Sequence, residues 1–199
     1  MRILVVGAEG TVGKAAISGF SKSHEIISAG RKSGTLRVDV NDEASVAAMY
    51  AKLGKVDAVV VCTGHSHFGP VATTTPKQFL DGLNDKVMGQ VNLVLLGMNN
   101  VNDNGSFTLT SGILSRDPIR QGSNAAACDG ALDAFVIGAA IEMPRGIRIN
   151  AVSPGLLADA AQKYDGYFPG HVPVSSARVG LAFAKSVEGA LNGQVITVD

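Results

Sequence analysis

Gly7, Gly10 and Gly13 recur at three-residue spacing in Gly7-Ala8-Glu9-Gly10-Thr11-Val12-Gly13. An apolar run, Arg2-Ile3-Leu4-Val5-Val6, precedes them, and a helical pattern opening Lys14-Ala15-Ala16-Ile17 follows. A strand, a glycine turn and a helix start form a phosphate site, because the first turn of a helix presents unpaired N–H groups and a partial positive charge. Gly7 suits the tight turn out of the strand. Gly10 lets the backbone approach a pyrophosphate, with Thr11 and Val12 in the first helical turn, and Gly13 lets the helix lie close on the sheet. The spacing is G-x-x-G-x-x-G rather than G-x-G-x-x-G, so the context carries this reading more than the motif does.

The second candidate stretch is Gly30-Arg31-Lys32-Ser33-Gly34, after the strand pattern His24 to Ala29. In a dinucleotide-binding unit the end of the second strand meets the adenosine ribose; a carboxylate there binds a 2′-hydroxyl, and a cation accommodates a 2′-phosphate. Arg31, Lys32 and the Ser33 hydroxyl are present without a carboxylate, which points to NADP(H) over NAD(H). Asp39 and Val40 end a third short strand, Leu36 to Val40, where the Asp39 carboxylate would meet an adenine amino group. Cys62-Thr63-Gly64 ends a fourth, nearly continuous apolar strand. His65 and His67 follow and read first as loop residues, second as acid–base groups.

The elements that must position these residues alternate along the chain. Helices are expected from Val12 to Lys22, Glu43 to Leu53, Lys77 to Met98, Asn124 to Glu142 and Ser175 to Val187. Further strands are expected over Asn104 to Gly112, Ile147 to Val152 and Gly193 to Asp199, with an irregular region from Ala158 to Pro173. Alternating strands and helices give an α/β, doubly wound parallel sheet, a single Rossmann domain over residues 1–199.

Composition narrows the classes of partner. Lys plus Arg and Asp plus Glu each number 17, so the formal net charge is zero, which argues against nucleic acid and anionic membrane surfaces. Without tryptophan there is little platform for stacking bases. Cys62 and Cys128 do not form a disulfide framework or zinc spacing and read as reduced thiols of a cytoplasmic protein. The leading apolar run is too short for a signal peptide or membrane span. The apolar Lys77–Met98 helix and the Ala-rich helix suit a homodimer or homotetramer interface.

On these pieces the chain resembles the short-chain dehydrogenase/reductase family. The resemblance rests on the N-terminal glycine turn, Val38-Asp39-Val40, Cys62-Thr63-Gly64, Leu109-Thr110-Ser111 and, above all, Arg148-Ile149-Asn150-Ala151-Val152-Ser153-Pro154-Gly155. It implies that Gly7 to Gly13 hold the pyrophosphate, Arg31 and Ser33 the 2′-phosphate, Asp39 and Val40 the adenine, and Thr63 and Gly64 the ribose side. Pro154, Gly155 and Leu156 would lie near the nicotinamide. Ser111 falls at the family's catalytic serine, which hydrogen-bonds the carbonyl oxygen of a small-molecule substrate.

The family's Y-x-x-x-K motif is missing. Ala125 stands at its tyrosine and Asp129 at its lysine, and the family's asparagine on the preceding helix aligns with Lys86. The resemblance therefore leaves three readings open. In the first, an atypical NADP(H)-dependent oxidoreductase of a carbonyl or alcohol uses Ser111 and a second group. Lys86 would restore the missing cation, and the proton would come from Lys86, Tyr164, Tyr167, His171 or water. In the second, the chain is a non-catalytic NADP(H)-binding sensor or regulatory protein. In the third, it is a scaffold without ligand.

Overall fold

The computed structural model describes all 199 residues. Strand β1 (Arg2–Val6) lies inside the sheet and pairs in parallel with β2 (Glu25–Gly30) on one side and β4 (Val56–Val61), the central strand, on the other. Outward from β2 lies the short β3 (Leu36–Arg37). Outward from β4 lie β5 (Val101–Thr110), β6 (Arg148–Pro154) and β7 (Val195–Val198). The order is β3-β2-β1-β4-β5-β6-β7, every pair parallel. Connections reverse direction between β1 and β4, and such a switch point opens a crevice at the carboxyl ends of the strands.

Both faces of the sheet are covered, which explains why the central strands are apolar throughout rather than alternating. Leu4, Val6, Val59 and Val61 face α2 (Glu43–Leu53), α4 (Gly89–Gly97) and α5 (Ser123–Ala140) through Met49, Tyr50, Leu93 and Leu132. Ile3, Val5, Ala58 and Val60 face α1 (Thr11–Gly19) and α6 (Ser176–Glu188) through Ala16, Val179 and Phe183. Each large apolar side chain fully buried here contributes about 1.5–3 kcal/mol. Local chemistry sets the helix starts. The Asp42 carboxylate accepts from Ala44 N at 2.9 Å to open α2, and Thr75 and Gln78 form a reciprocal cap for α3 (Pro76–Gly82), with Pro76 in its first turn.

Several expected boundaries move. The stretch Lys77 to Met98 is not one α-helix: a π-helical turn, Leu83–Met88, separates α3 from α4. Strand β3 stops at Arg37 rather than reaching Val40, because past Val38 the chain turns and Asp39 N donates to Ser45 Oγ at 2.9 Å. Strand β5 begins at Val101, and its register against β4 shifts between Val56 and Ala58, a bulge that includes Asn104 at φ 61°. The region expected to be irregular from Ala158 opens with a 3-10 helix, Ala158–Tyr164.

Candidate active site

A cleft of about 420 Å³ opens at the carboxyl ends of β1, β4, β5 and β6. Its floor comes from the first turn of α1, through Thr11 and Val12, and from the chain leaving β6, through Pro154, Gly155 and Leu156. Cys62, Thr63 and Gly64 after β4 and Ser111 after β5 form one wall, with Lys86 beside them. The sequence thus places ten of its candidate residues in one cleft although they are far apart in the chain.

The glycine turn has the shape of a phosphate cradle. Gly7 has φ +82°, and its N–H donates to Ala29 O at 2.8 Å, tying the turn to the end of β2. A side chain at Gly13 would collide with the Gly7 carbonyl and come within 2.8 Å of Ala8 Cα. Gly10 starts α1 without any side-chain cap, which leaves the first-turn amides for a ligand. These residues fit a dinucleotide pyrophosphate. Arg31, Lys32 and Ser33 lie outside the cleft, exposed on the turn between β2 and β3, with neither Arg31 nor Lys32 in an ion pair. Asp39 and Val40 also lie outside it. The Asp39 carboxylate accepts from Asn41 N at 3.1 Å, and the Val40 carbonyl accepts from Asn92 Nδ2 at 3.0 Å, so both already have local partners.

Ser111 is buried, and its hydroxyl has no hydrogen-bond partner, an unusual state for a buried polar group. Its backbone is held from several sides. Ser111 N donates to Val152 O at 3.0 Å. The Gln90 amide clasps the preceding residue, donating to Thr110 O at 2.8 Å and accepting from Thr110 N at 2.9 Å. The Arg116 guanidinium donates to Ser153 Oγ at 2.6 Å, and that hydroxyl donates to Gly112 O at 2.8 Å.

Lys86 sits in the π-helical turn, with its ammonium 2.5 Å from Asp129 Oδ1 on α5. Burial pushes the Asp129 carboxyl above its ordinary range, against the pull of the Lys86 ammonium. Ala125, one turn earlier on α5, lines the cleft with no polar group. Cys62 and Cys128 are free thiols. Burial pushes the Cys62 thiol up to about 12, and Cys128 is raised for the same first reason, so neither is a ready nucleophile.

The loop side of the cleft is mostly apolar and aromatic. Phe68, Ile113, Leu114, Tyr164 and Phe168 line it, together with Lys163. Of the proton donors considered from sequence, Tyr164 lines the cleft, while Tyr167 and His171 do not. Tyr167 packs edge-on against Phe68 at 6.4 Å, and His171 Nδ1 lies 3.6 Å from Asp117 Oδ2. His65 is exposed and pairs with Asp85 at 3.2 Å, while His67 N donates to Asn124 Oδ1 at 2.8 Å. Burial favours a raised Asp85 pKa, but hydrogen bonds from Asn41 and His65 outweigh it and hold the carboxyl below its usual range. The Lys86–Asp129 contact is the feature sequence reasoning missed; opposite charges at two of the three altered family positions were its only signal.

A family model described as enoyl-(acyl carrier protein) reductase matches residues 7–199. The chain belongs to the short-chain dehydrogenase/reductase family. A solved structure of the protein lin1944 from Listeria innocua is 48% identical with a TM-score of 0.98, all of both chains being covered. A small-chain dehydrogenase solved in complex with NADPH is 28% identical with a TM-score of 0.86, covering 100% of this chain and 96% of that one. A short chain dehydrogenase from Mycobacterium smegmatis, 19% identical with a TM-score of 0.84 over 100% of this chain and 91% of that one, shares the fold. No curated protein matches the sequence. The short-chain dehydrogenase/reductase assignment agrees with the seven-stranded sheet and the cleft at its switch point. No helix is long and apolar enough to cross a membrane.

Proposed function

We propose that the protein is an NADP(H)-dependent oxidoreductase that interconverts a small-molecule carbonyl and the corresponding alcohol. The observation that carries this reading is the unpartnered buried hydroxyl of Ser111 in the same cleft as Lys86, above the Pro154–Leu156 floor. Family membership and the NADPH complex of the 28% identical relative support the cofactor class. Arg31, Lys32 and Ser33 at the end of β2 supply the preference for the 2′-phosphate. Asp39 and Val40 flank the adenine side.

When bound, the nicotinamide supplies or accepts the hydride. Gly7, Gly10 and Gly13, with the Thr11 and Val12 amides, hold the pyrophosphate, and Cys62, Thr63 and Gly64 border the ribose. The Ser111 hydroxyl donates to the substrate carbonyl oxygen. The Lys86 ammonium supplies the proton that this oxygen takes up on reduction and is reprotonated from water. Phe68, Ile113, Leu114 and Phe168 favour a substrate with an apolar body. The exposed Leu95 and Leu96 of α4 and Ile137 of α5, with Ile141 just beyond it, fit a homodimer or homotetramer. Two free thiols fit a reducing, cytoplasmic setting.

Calorimetric titration with NADPH and with NADH tests the cofactor, and NADPH oxidation across a panel of apolar ketones and aldehydes tests turnover. Tight NADPH binding, weak NADH binding and a rate that Ser111→Ala lowers about a hundredfold agree with the proposal. Tight binding with no turnover transfers the protein to the sensor reading. Binding of neither cofactor overturns it.

A further inference from the structure

The Lys86–Asp129 pair is asymmetric. Both side chains border the cleft, but unequally: the lysine is 16% exposed and the aspartate only 2%. The cation is therefore the more open member of the pair, with its counter-charge almost fully buried beside it. The pair is also pinned from both ends. Gly64 has φ +115°, and a side chain there would come within 2.8 Å of Lys86 Cα, so the π-helical turn presses directly on the end of β4. A side chain at Gly112 would come within 2.7 Å of Asp129 Oδ2, so the carboxylate packs against the residue following Ser111. One carboxylate thus pairs with the lysine through Oδ1 and, through Oδ2, leaves no room for a side chain at Gly112.

Stability gives little reason for such an arrangement. A buried ion pair contributes no more than a well-packed apolar pair of similar volume, because both charges must be desolvated. What a buried pair does supply is direction: a flexible lysine gains a fixed orientation when its ammonium has one buried acceptor. α5 carries no phenol at Ala125, so this orientation decides where a proton-bearing group stands in the cleft.

We propose that Asp129 is the positioning residue of this cleft: its buried carboxylate holds the Lys86 ammonium at the wall and sets its spacing from the Ser111–Gly112 turn. Asp129 acts only through Lys86, and the inference rests on the reading that Lys86, besides serving the substrate oxygen, stands against the bound cofactor. The position that in the family supplies the lysine here supplies the anchor, and the cation comes from the facing helix.

The test is a double-mutant cycle read by NADPH affinity in calorimetry, with thermal unfolding followed in parallel. Lys86→Met weakens NADPH binding about tenfold, Asp129→Asn weakens it by a similar factor, and the double variant is no worse than Lys86→Met alone. A purely structural pair gives a different pattern: the melting temperature falls, but NADPH affinity in Asp129→Asn stays at the wild-type value, and that result overturns the proposal. An unchanged affinity in Lys86→Met, or no NADPH binding by the wild type, overturns the reading beneath it instead. Should Asp129→Asn not fold, Asp129→Ala, which removes the carboxylate without turning an amide onto Gly112, is read in the same way.

Discussion

Gly19 and Gly180 meet backbone to backbone where α1 crosses α6. A side chain at Gly180 would lie 2.5 Å from the Ala15 carbonyl and 3.1 Å from Gly19 Cα. This close crossing seats α1, whose first turn forms the cofactor cradle, against the helix that covers the same face of the sheet. Gly180→Ala forces the two helices apart and is expected to cost about 1–3 kcal/mol, measured as a lowered denaturant midpoint with an unchanged slope.

Asp57 anchors the start of the central strands. Its carboxylate accepts from Arg2 N at 2.7 Å and from Asn102 Nδ2 at 2.7 Å. The Asn102 hydrogen bond, followed by that from Arg2, holds its pKa below the ordinary value. Because the folded pKa is depressed, the stabilisation is present above the unfolded value of about 3.9 and is lost as pH falls through the folded one. Asp57→Asn is therefore expected to lower stability near neutral pH by about 0.5–1 kcal/mol and to flatten the acid limb. Urea unfolding at neutral and acidic pH measures both effects.

Arg31 lies on the exposed β2–β3 turn with no ion pair of its own. Arg31→Ala is expected to weaken NADPH binding by at least about tenfold and to leave NADH binding unchanged, since only one cofactor carries the 2′-phosphate. Equal weakening of both in calorimetry would place Arg31 elsewhere on the ligand.

Ile137 is 56% exposed, and Ile141 near the end of α5 is 90% exposed. Ile137→Glu combined with Ile141→Glu is expected to shift the sedimentation coefficient to that of a monomer while the melting temperature in dilute solution stays close to wild type. A wild type that already sediments as a monomer would remove the oligomer from the proposal.

Much of this architecture is legible in the sequence because it is local. The strand, glycine turn and helix of residues 2–19 are adjacent in the chain, and the buried strands show as unbroken apolar runs. The π-helical turn at Leu83–Met88 is not legible: one extra residue in the ladder leaves apolar spacing much as an α-helix would. Strand β3 ends early because, after Val38 N donates to Gly30 O, the chain turns away and Val40 is buried without strand pairing, its carbonyl accepting from Asn92, and burial looks the same in either case. At the site, Ser111 could be placed by its motif, whereas Lys86 and Asp129 are 43 residues apart and their pairing depends on how α5 packs against the π-helical turn.

The two thiols give the cleft a clock. Cys62 forms part of the cleft wall after β4, whereas Cys128 is fully buried on α5, and burial holds both thiols protonated. A thiol-reactive dye meets Cys62 from the cleft but reaches Cys128 only when α5 opens, so the two labelling rates record occupancy of the cleft and breathing of α5 separately. A ligand lying across the cleft would slow both clocks together; a ligand gripping only the glycine turn would slow Cys62 and leave Cys128 running.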